Sequence, residues 1–207
     1  MVKLVVAPGV FLWREKFSPS AQKELLDDVM ERLEAAPLYR PAMPVSGKPF
    51  SVEESNFGPL GWVSDQTSYR YQPNHPETGK PWPAIPPALL ALWEEINQPP
   101  PPDCCLVNLY RTGAKMGLHQ DRDEGDVSAA VIGVSLGDEA LFRIGGTSRK
   151  GETISVPLTS GDVIAFGGPA RLAYHGIDRI RPGTSRLPLP GGGRLSLTLR
   201  RVAPAAR

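Results

Sequence analysis

From Cys104 to Arg201 the chain is divided into short apolar runs by glycine and aspartate turns, and that spacing leaves few folds open. Cys104 to Tyr110 alternates, with Leu106, Asn108 and Tyr110 on one side and Val107 and Leu109 on the other. Ala129 to Leu136 is a more continuous apolar run that stops at Gly137-Asp138, and Ala140 to Ile144 ends at Gly145-Gly146. Glu152 to Leu158, Val163 to Phe166 and Tyr174 to Ile180 follow, with the turn Ser160-Gly161-Asp162 inside the series, and Arg194 to Arg201 closes it. Short strands at such intervals predict an antiparallel sandwich or jelly roll. The 23 prolines and 21 glycines among 207 residues agree with many turns, and a hydrophobic content of 41% suffices for a core.

The N-terminal half reads differently. Lys3 to Val6 and Val10 to Trp13 are short strands. Ser18-Pro19 opens a helix with serine as N-cap and proline in the first turn, and Ala21, Leu25, Val29 and Leu33 give it one apolar face. A second helix is expected from Ala88 to Gln98, opened by Pro86-Pro87, with Leu89, Leu92, Trp93 and Ile96 on its packed side. Between them, residues 37–82 are broken by Pro37, Pro41, Pro44, Pro49 and Pro59 and by Gly47, Gly58 and Gly61, so a long irregular stretch is expected. Trp62, Tyr69, Arg70 and Tyr71 there either stack on a nucleobase and touch its phosphate or anchor the loop. His75, in Pro73-Asn74-His75-Pro76, reads as a surface residue of a turn.

The bulk numbers exclude some classes. No apolar run approaches the length of a membrane span, and Leu4-Val5-Val6-Ala7 is too short for a secretory core. The two cysteines, Cys104 and Cys105, are adjacent and give no disulfide framework, so a reduced, cytoplasmic setting is expected and both read as apolar strand residues. The net charge is +1, but most arginines lie after Cys104, which is compatible with a phosphate-bearing partner.

The chemistry concentrates in Asn108 to Asp123. His119 and Asp121 are two apart on an extended segment and would point to one side. With His175 far downstream they would make a 2-His-1-carboxylate triad, the set that holds non-haem Fe(II) and leaves positions open. The chain has only three histidines, which narrows the choice. The last strand alternates cleanly: Leu195, Leu197 and Leu199 face one way, Arg194, Ser196, Thr198 and Arg200 the other. That polar face is either wet or turned inward, where the two arginines would need an anion such as a small dicarboxylate. Asn108 and Tyr110 could add neutral hydrogen bonds to it.

Asn-x-Tyr followed by His-x-Asp-x-Asp, the later His-Gly and Arg-x-Ser-x-Thr-x-Arg together resemble the AlkB family of Fe(II)/2-oxoglutarate-dependent dioxygenases. The resemblance runs from about Gly47 to Arg201 and includes Leu60-Gly61-Trp62, Tyr69-x-Tyr71, Lys80-Pro81-Trp82-Pro83 and Gly161-Asp162. It implies a mainly β fold with flanking helices: a double-stranded β-helix (jelly roll) core over 104–207, and over 1–103 an N-terminal helix extension with a nucleotide-recognition lid, in one compact unit. It implies Fe(II), 2-oxoglutarate and O2, with His119, Asp121 and His175 on iron. Asn108, Tyr110 and Arg194 would take the far carboxylate of 2-oxoglutarate, with Ser196 and Arg200 near its keto-acid end. Trp62 and His175 would sandwich the damaged base, Asp123 would meet its exocyclic amine or favour a cationic lesion, and Tyr69, Arg70, Tyr71 and Arg149 would touch the lesion strand. The implied activity is oxidative demethylation of bases such as 1-methyladenine and 3-methylcytosine in single- or double-stranded DNA by a monomer, with methylated RNA, protein or a small metabolite as the alternative substrate. Three positions depart from the pattern. Ser196 stands where the last strand usually has Asn, Phe166 where a close relative has Trp, and Glu54 at a lid position that is apolar there. A carboxylate at Glu54 either alters base preference or points outward.

Overall fold

The computed structural model describes residues 3–96 and 100–203. Strands β1 (Lys3–Ala7) and β2 (Val10–Trp13) form a hairpin, followed by helix α1 (Pro19–Ala35) and strand β3 (Glu53–Phe57). A second hairpin, β4 (Gly61–Ser64) and β5 (Tyr69–Gln72), precedes helix α2 (Pro87–Ile96). Then come β6 (Cys104–Tyr110), β7 (Met116–His119), β8 (Val131–Gly137), β9 (Glu139–Gly145), β10 (Thr153–Leu158), β11 (Val163–Phe166), β12 (His175–Arg181) and β13 (Arg194–Arg200). Seven strands make one sheet in the order β1-β2-β11-β8-β13-β6-β3, and four make a second in the order β10-β9-β12-β7. The pairs within them are antiparallel.

Strand periodicity decides what each face of the large sheet does. Its outer face carries Leu195, Leu197 and Leu199 with Cys105, Val107, Leu109, Ile132, Val134 and Leu136. These pack against Leu25, Leu26, Val29 and Leu33 of α1 and Leu89, Leu92 and Trp93 of α2 in one apolar cluster. Each fully buried leucine there stabilises the fold by about 1.5–3 kcal/mol. Helix α1 starts as its sequence predicts, with the Ser18 hydroxyl accepting from the Ala21 N–H at 3.3 Å. The last two residues expected in α2, Asn97 and Gln98, lie outside the described residues. A second apolar cluster joins Val10, Leu12, Tyr110, Val131, Ile164 and Phe166 of the large sheet to Ala140, Phe142, Ile144, Val156, Leu158 and Ile177 of the small one. The two sheets therefore close on each other as a jelly roll. Among the described residues no helix is long and apolar enough to cross a membrane.

The N-terminal half departs from expectation in three places. Residues 37–82 are not uniformly irregular, because β3 joins the large sheet beside β6 and β4–β5 is a regular hairpin. The β3 sequence Glu-Glu-Ser-Asn looks too polar for a strand, yet Glu54, Ser55 and Asn56 are buried. Ser55 Oγ donates to Ala36 O at 2.7 Å, and Asn56 bonds the backbone N–H and carbonyl of Trp62 at 3.0 and 2.9 Å. Glu54 neither crosses a lid nor points outward: it sits in β3 opposite Asn108, 1% exposed. His75 is not on the surface either. Its ring lies 5.2 Å from that of Tyr39 and 5.1 Å from that of Trp82, its Nδ1 accepts from the Glu77 and Thr78 N–H groups, and its Nε2 lies 2.8 Å from Pro37 O. A compact turn with that many partners is held under the aromatic rings instead of being left in water.

Candidate active site

The site lies on the inner face between the two sheets. Strand β12 runs antiparallel to β7 with His175 directly opposite His119, so both imidazoles project from the same side with ring centroids 4.5 Å apart. A register shift between His175 and Ile177 re-aims the strand beside the site, as bulges do. Gly176 permits the close approach: a Cβ there would stand 2.5 Å from Met116 O and 2.9 Å from Gly117 O. The expected extended segment stops at His119, and Asp121 follows two residues beyond the strand with its side chain turned in, 4% exposed.

The donor set fits a cation. His119 Nδ1 lies 3.0 Å from Gly117 O and His175 Nδ1 3.0 Å from Ala173 O. Each Nδ1 therefore carries the hydrogen, and each Nε2 keeps its lone pair. These Nε2 atoms stand 3.6 and 3.7 Å from the Asp121 carboxylate, too far to hydrogen-bond but right for a shared ion about 2 Å from each. The three ligand atoms lie within 4.8 Å of one another, and Asp121 Oδ2 is buried without a partner. Burial works against ionisation of Asp121, but Arg200 and the two imidazoles outweigh it and hold the carboxyl at about 2. Burial depresses His175 to about 4, against the pull of Asp121. Carboxylate and neutral imidazole are the ligating forms.

Both arginines of β13 face inward, which settles the two readings of that strand. The same cavity is lined by Asn108, Tyr110, Arg194, Ser196, Thr198 and Arg200 together with the three metal-site residues. Arg194 is 2% exposed, and its Nη2 donates to Ser135 Oγ at 2.9 Å while Nε and Nη1 have no partner. Burial lowers its pKa, and Tyr110, whose ring lies 5.5 Å away, pulls it back up. A buried guanidinium with two free N–H groups requires an anion.

Arg200 is placed otherwise than Arg194. It bonds Asp121 Oδ1 through Nη2 at 3.1 Å, and Glu124 Oε1 and the Tyr71 hydroxyl through Nη1, each at 3.1 Å. The Tyr71 hydroxyl donates to Glu124 Oε1 at 2.6 Å. Arg171 completes the group: Nη2 lies 3.4 Å from Glu124 Oε2, and Nη1 donates to the Asp121 carbonyl at 2.6 Å. Burial disfavours the Arg200 charge, but Asp121, Tyr71 and Glu124 reverse that and hold it firmly protonated.

The residues expected to meet substrate divide into two groups. Trp62, Tyr69 and Asp123 come together: the indole N–H donates to Asp123 Oδ2 at 3.2 Å, and Tyr69 stacks on Trp62 at 5.4 Å and 20°. Arg70 is bonded within its own hairpin to Asp65 at 2.7 Å, Tyr71 belongs to the Arg200 group, and Arg149 is exposed in the turn between β9 and β10. Sequence reasoning missed Ser135, Glu124 and Arg171. Glu124 carried a faint signal, standing three residues after Asp121. Arg171 lay in a Pro-Ala-Arg-Leu loop and carried none. Cys104 and Cys105 are buried and unpaired, as apolar strand residues.

A family model described as the 2OG-Fe(II) oxygenase superfamily matches residues 4–200. The chain is 56% identical to an alpha-ketoglutarate-dependent dioxygenase AlkB homolog of Caulobacter vibrioides, over 98% of this chain and 91% of the relative. It is 37% identical to the alpha-ketoglutarate-dependent dioxygenase AlkB of Escherichia coli, over 95% of this chain and 92% of that protein. The solved structure of OsALKBH1 superposes with a TM-score of 0.79 at 29% identity, covering 97% of this chain and all of the other.

Proposed function

Because the chain belongs to the AlkB family within the 2OG-Fe(II) oxygenase superfamily, and is an Fe(II)- and 2-oxoglutarate-dependent dioxygenase, we propose that it demethylates N-alkylated bases such as 1-methyladenine and 3-methylcytosine in DNA. One observation carries the reading: a two-histidine, one-carboxylate set and a buried guanidinium with two free N–H groups line the same cavity. Iron with 2-oxoglutarate and O2, when bound, supplies the oxidation that turns an N-methyl group into a hydroxymethyl, which leaves as formaldehyde while the cosubstrate becomes succinate and CO2.

The chain's own residues do the rest. His119, Asp121 and His175 hold the metal by their Nε2 atoms and one carboxylate. Arg194, Asn108 and Tyr110 fix the far end of the cosubstrate, and Ser196 and Thr198 line its length. Arg200 stays on Asp121 and keeps that carboxylate ionised and in place, while Glu124 and Arg171 hold Arg200 and the Asp121 backbone. Phe142, Leu158, Ile164, Phe166 and Ile177 keep water from the centre. A base reaches this depth only from a single strand or after flipping, at a cost of a few kcal/mol that a weakened pair reduces. Trp62, backed by Tyr69, offers an indole for stacking, and Asp123 a carboxylate for a cationic lesion. In this reading the enzyme acts as a monomer in a cytoplasmic setting, which the free, buried cysteines suit.

Purified protein with Fe(II), 2-oxoglutarate and a 3-methylcytosine oligonucleotide is expected to release formaldehyde and succinate in equal amounts. Succinate without formaldehyde on the methylated oligonucleotide, with iron and cosubstrate shown to be bound, removes the nucleic-acid substrate and leaves the oxygenase.

A further inference from the structure

Glu54 is a buried carboxyl group that neither the metal site nor the helix packing uses. It stands in β3 directly opposite Asn108 of β6. Opposed residues of an antiparallel ladder share a face with Cβ atoms about 4.5–5.5 Å apart, so the two side-chain ends are within reach of each other. The Glu54 backbone is fixed from its other edge, where its N–H donates to Tyr39 O at 2.7 Å and its carbonyl accepts from the Tyr39 N–H at 2.9 Å. Glu54 is 1% and Asn108 4% exposed, and Glu54 Oε2 and Asn108 Oδ1 are both buried without a donor. Two buried acceptors left unsatisfied side by side are expensive, whereas a single proton between them meets both needs.

The register extends the pair into a row. Glu54 pairs with Asn108, Asn108 with Ser196, and Ser196 with Ser135, all on the inner face. The row ends on the hydroxyl that accepts from Arg194. The titratable groups coupled to Glu54 are Arg200 from β13, which acts on it, and Tyr110 from β6 and Tyr39 from the loop after α1, whose hydroxyls it pushes up. Of these only Arg200 carries a positive charge, and its guanidinium is already bonded to Asp121 and Glu124.

We propose that Glu54 is a neutral carboxylic acid whose hydroxyl donates to Asn108 Oδ1 and so turns the Asn108 amide N–H groups toward the cosubstrate cavity. Glu54 is thereby a positioning residue for 2-oxoglutarate, an inference that rests on the reading that Asn108 binds it. Burial raises the Glu54 carboxyl to about 8, and Arg200 only partly restores it. Ionisation above that point removes the donor and places a negative charge beside a dicarboxylate. In the metal-free protein the raised value means that folding holds an extra proton. Stability is then greatest below the ordinary value of 4.5 and declines as pH rises from there to about 8.

Calorimetric titration of 2-oxoglutarate into the Mn(II)-loaded protein across pH 6.5 to 9 tests this, beside thermal unfolding of the metal-free protein across pH 4.5 to 9. Wild type is expected to lose affinity about tenfold as pH rises, the loss of one hydrogen bond plus added repulsion. Glu54→Gln donates at every pH, so its affinity stays near the low-pH wild-type level and its melting temperature loses the decline. Glu54→Met, without a donor, binds more weakly at every pH. The inference is overturned if wild type and Glu54→Gln share one pH profile for binding, or if Glu54→Gln and Glu54→Met change only the preference among methylated bases. Failure of all three proteins to bind 2-oxoglutarate at any pH removes the cosubstrate reading and this inference together.

Discussion

The inner face between the two sheets and the β4–β5 hairpin handle their polar groups in opposite ways. On the inner face Asp121 Oδ2, Asn108 Oδ1, Arg194 Nε and Nη1, and Arg200 Nε are buried without partners. Strand backbone and packing hold them there although each alone costs about 1–3 kcal/mol. On the hairpin the polar groups already have partners: Arg70 bonds Asp65, Thr67 and Gln72 within it, and the Trp62 indole and the Tyr71 hydroxyl bond Asp123 and Glu124 of the segment after β7. The first region is arranged for ligands that supply what is missing. The second is content without a ligand and must exchange partners to bind one. Rigidity belongs where small molecules are fixed, and exchangeable contacts where a longer polymer is accommodated.

The largest effect should come from taking a donor out of the inner face. Asp121→Ala removes one of three metal ligands and several kcal/mol of metal-derived stabilisation. Turnover is expected to fall about a thousandfold, with iron stoichiometry well below one per chain. Full metal occupancy in this variant would break the assignment of Asp121. Arg194→Met comes next and sharpens the contrast. The KM for 2-oxoglutarate should rise about a hundredfold, the loss of a buried charge-assisted pair, while the metal-free protein melts no lower than wild type, because an uncompensated buried charge has been removed. A melting temperature that drops as if a satisfied ion pair had been broken would mean that Arg194 already has its partner in the free protein.

How much of this could be read from residue order follows the same division. The alternation Arg-Leu-Ser-Leu-Thr-Leu-Arg fixes two faces whatever the partner, and the need of Arg194 and Arg200 for anions makes an inner site one of two clear alternatives. His119, Asp121 and His175 were identifiable by type and scarcity, but the direct pairing of His175 with His119 is a register fact that no local pattern contains. Strand β3 was hidden because Glu53 to Asn56 is polar. Its burial is tolerated through bonds to Ala36 O from the end of α1 and to the Trp62 backbone across the turn into β4, partners that the polar residues themselves do not specify. His75 was misjudged for the same reason: a Pro-Asn-His-Pro turn looks exposed until Tyr39 and Trp82 close on it. Ser135, Glu124 and Arg171 act through partners 47 to 76 residues away, and nothing in their neighbours foretells those partners.

The smallest effects belong to the hairpin, and their order tests whether its contacts are exchanged on binding. Trp62→Ala removes a stacking platform worth about 1–3 kcal/mol per base, so a methylated single-stranded oligonucleotide should bind about tenfold more weakly by fluorescence anisotropy, with little change in KM for 2-oxoglutarate. Arg70→Gln should cost less. Its guanidinium must leave Asp65 to reach a phosphate, and an exposed pair of that kind contributes only about 0.2–1 kcal/mol. The variant is therefore expected to lose affinity severalfold and to lower the slope of log affinity against log salt by roughly one contact. A loss in Arg70→Gln as large as that in Trp62→Ala, with an unchanged salt slope, would show that Arg70 supports the hairpin through Asp65 and touches no phosphate. The hairpin would then be as fixed as the inner face, and the contrast between the two regions would fail.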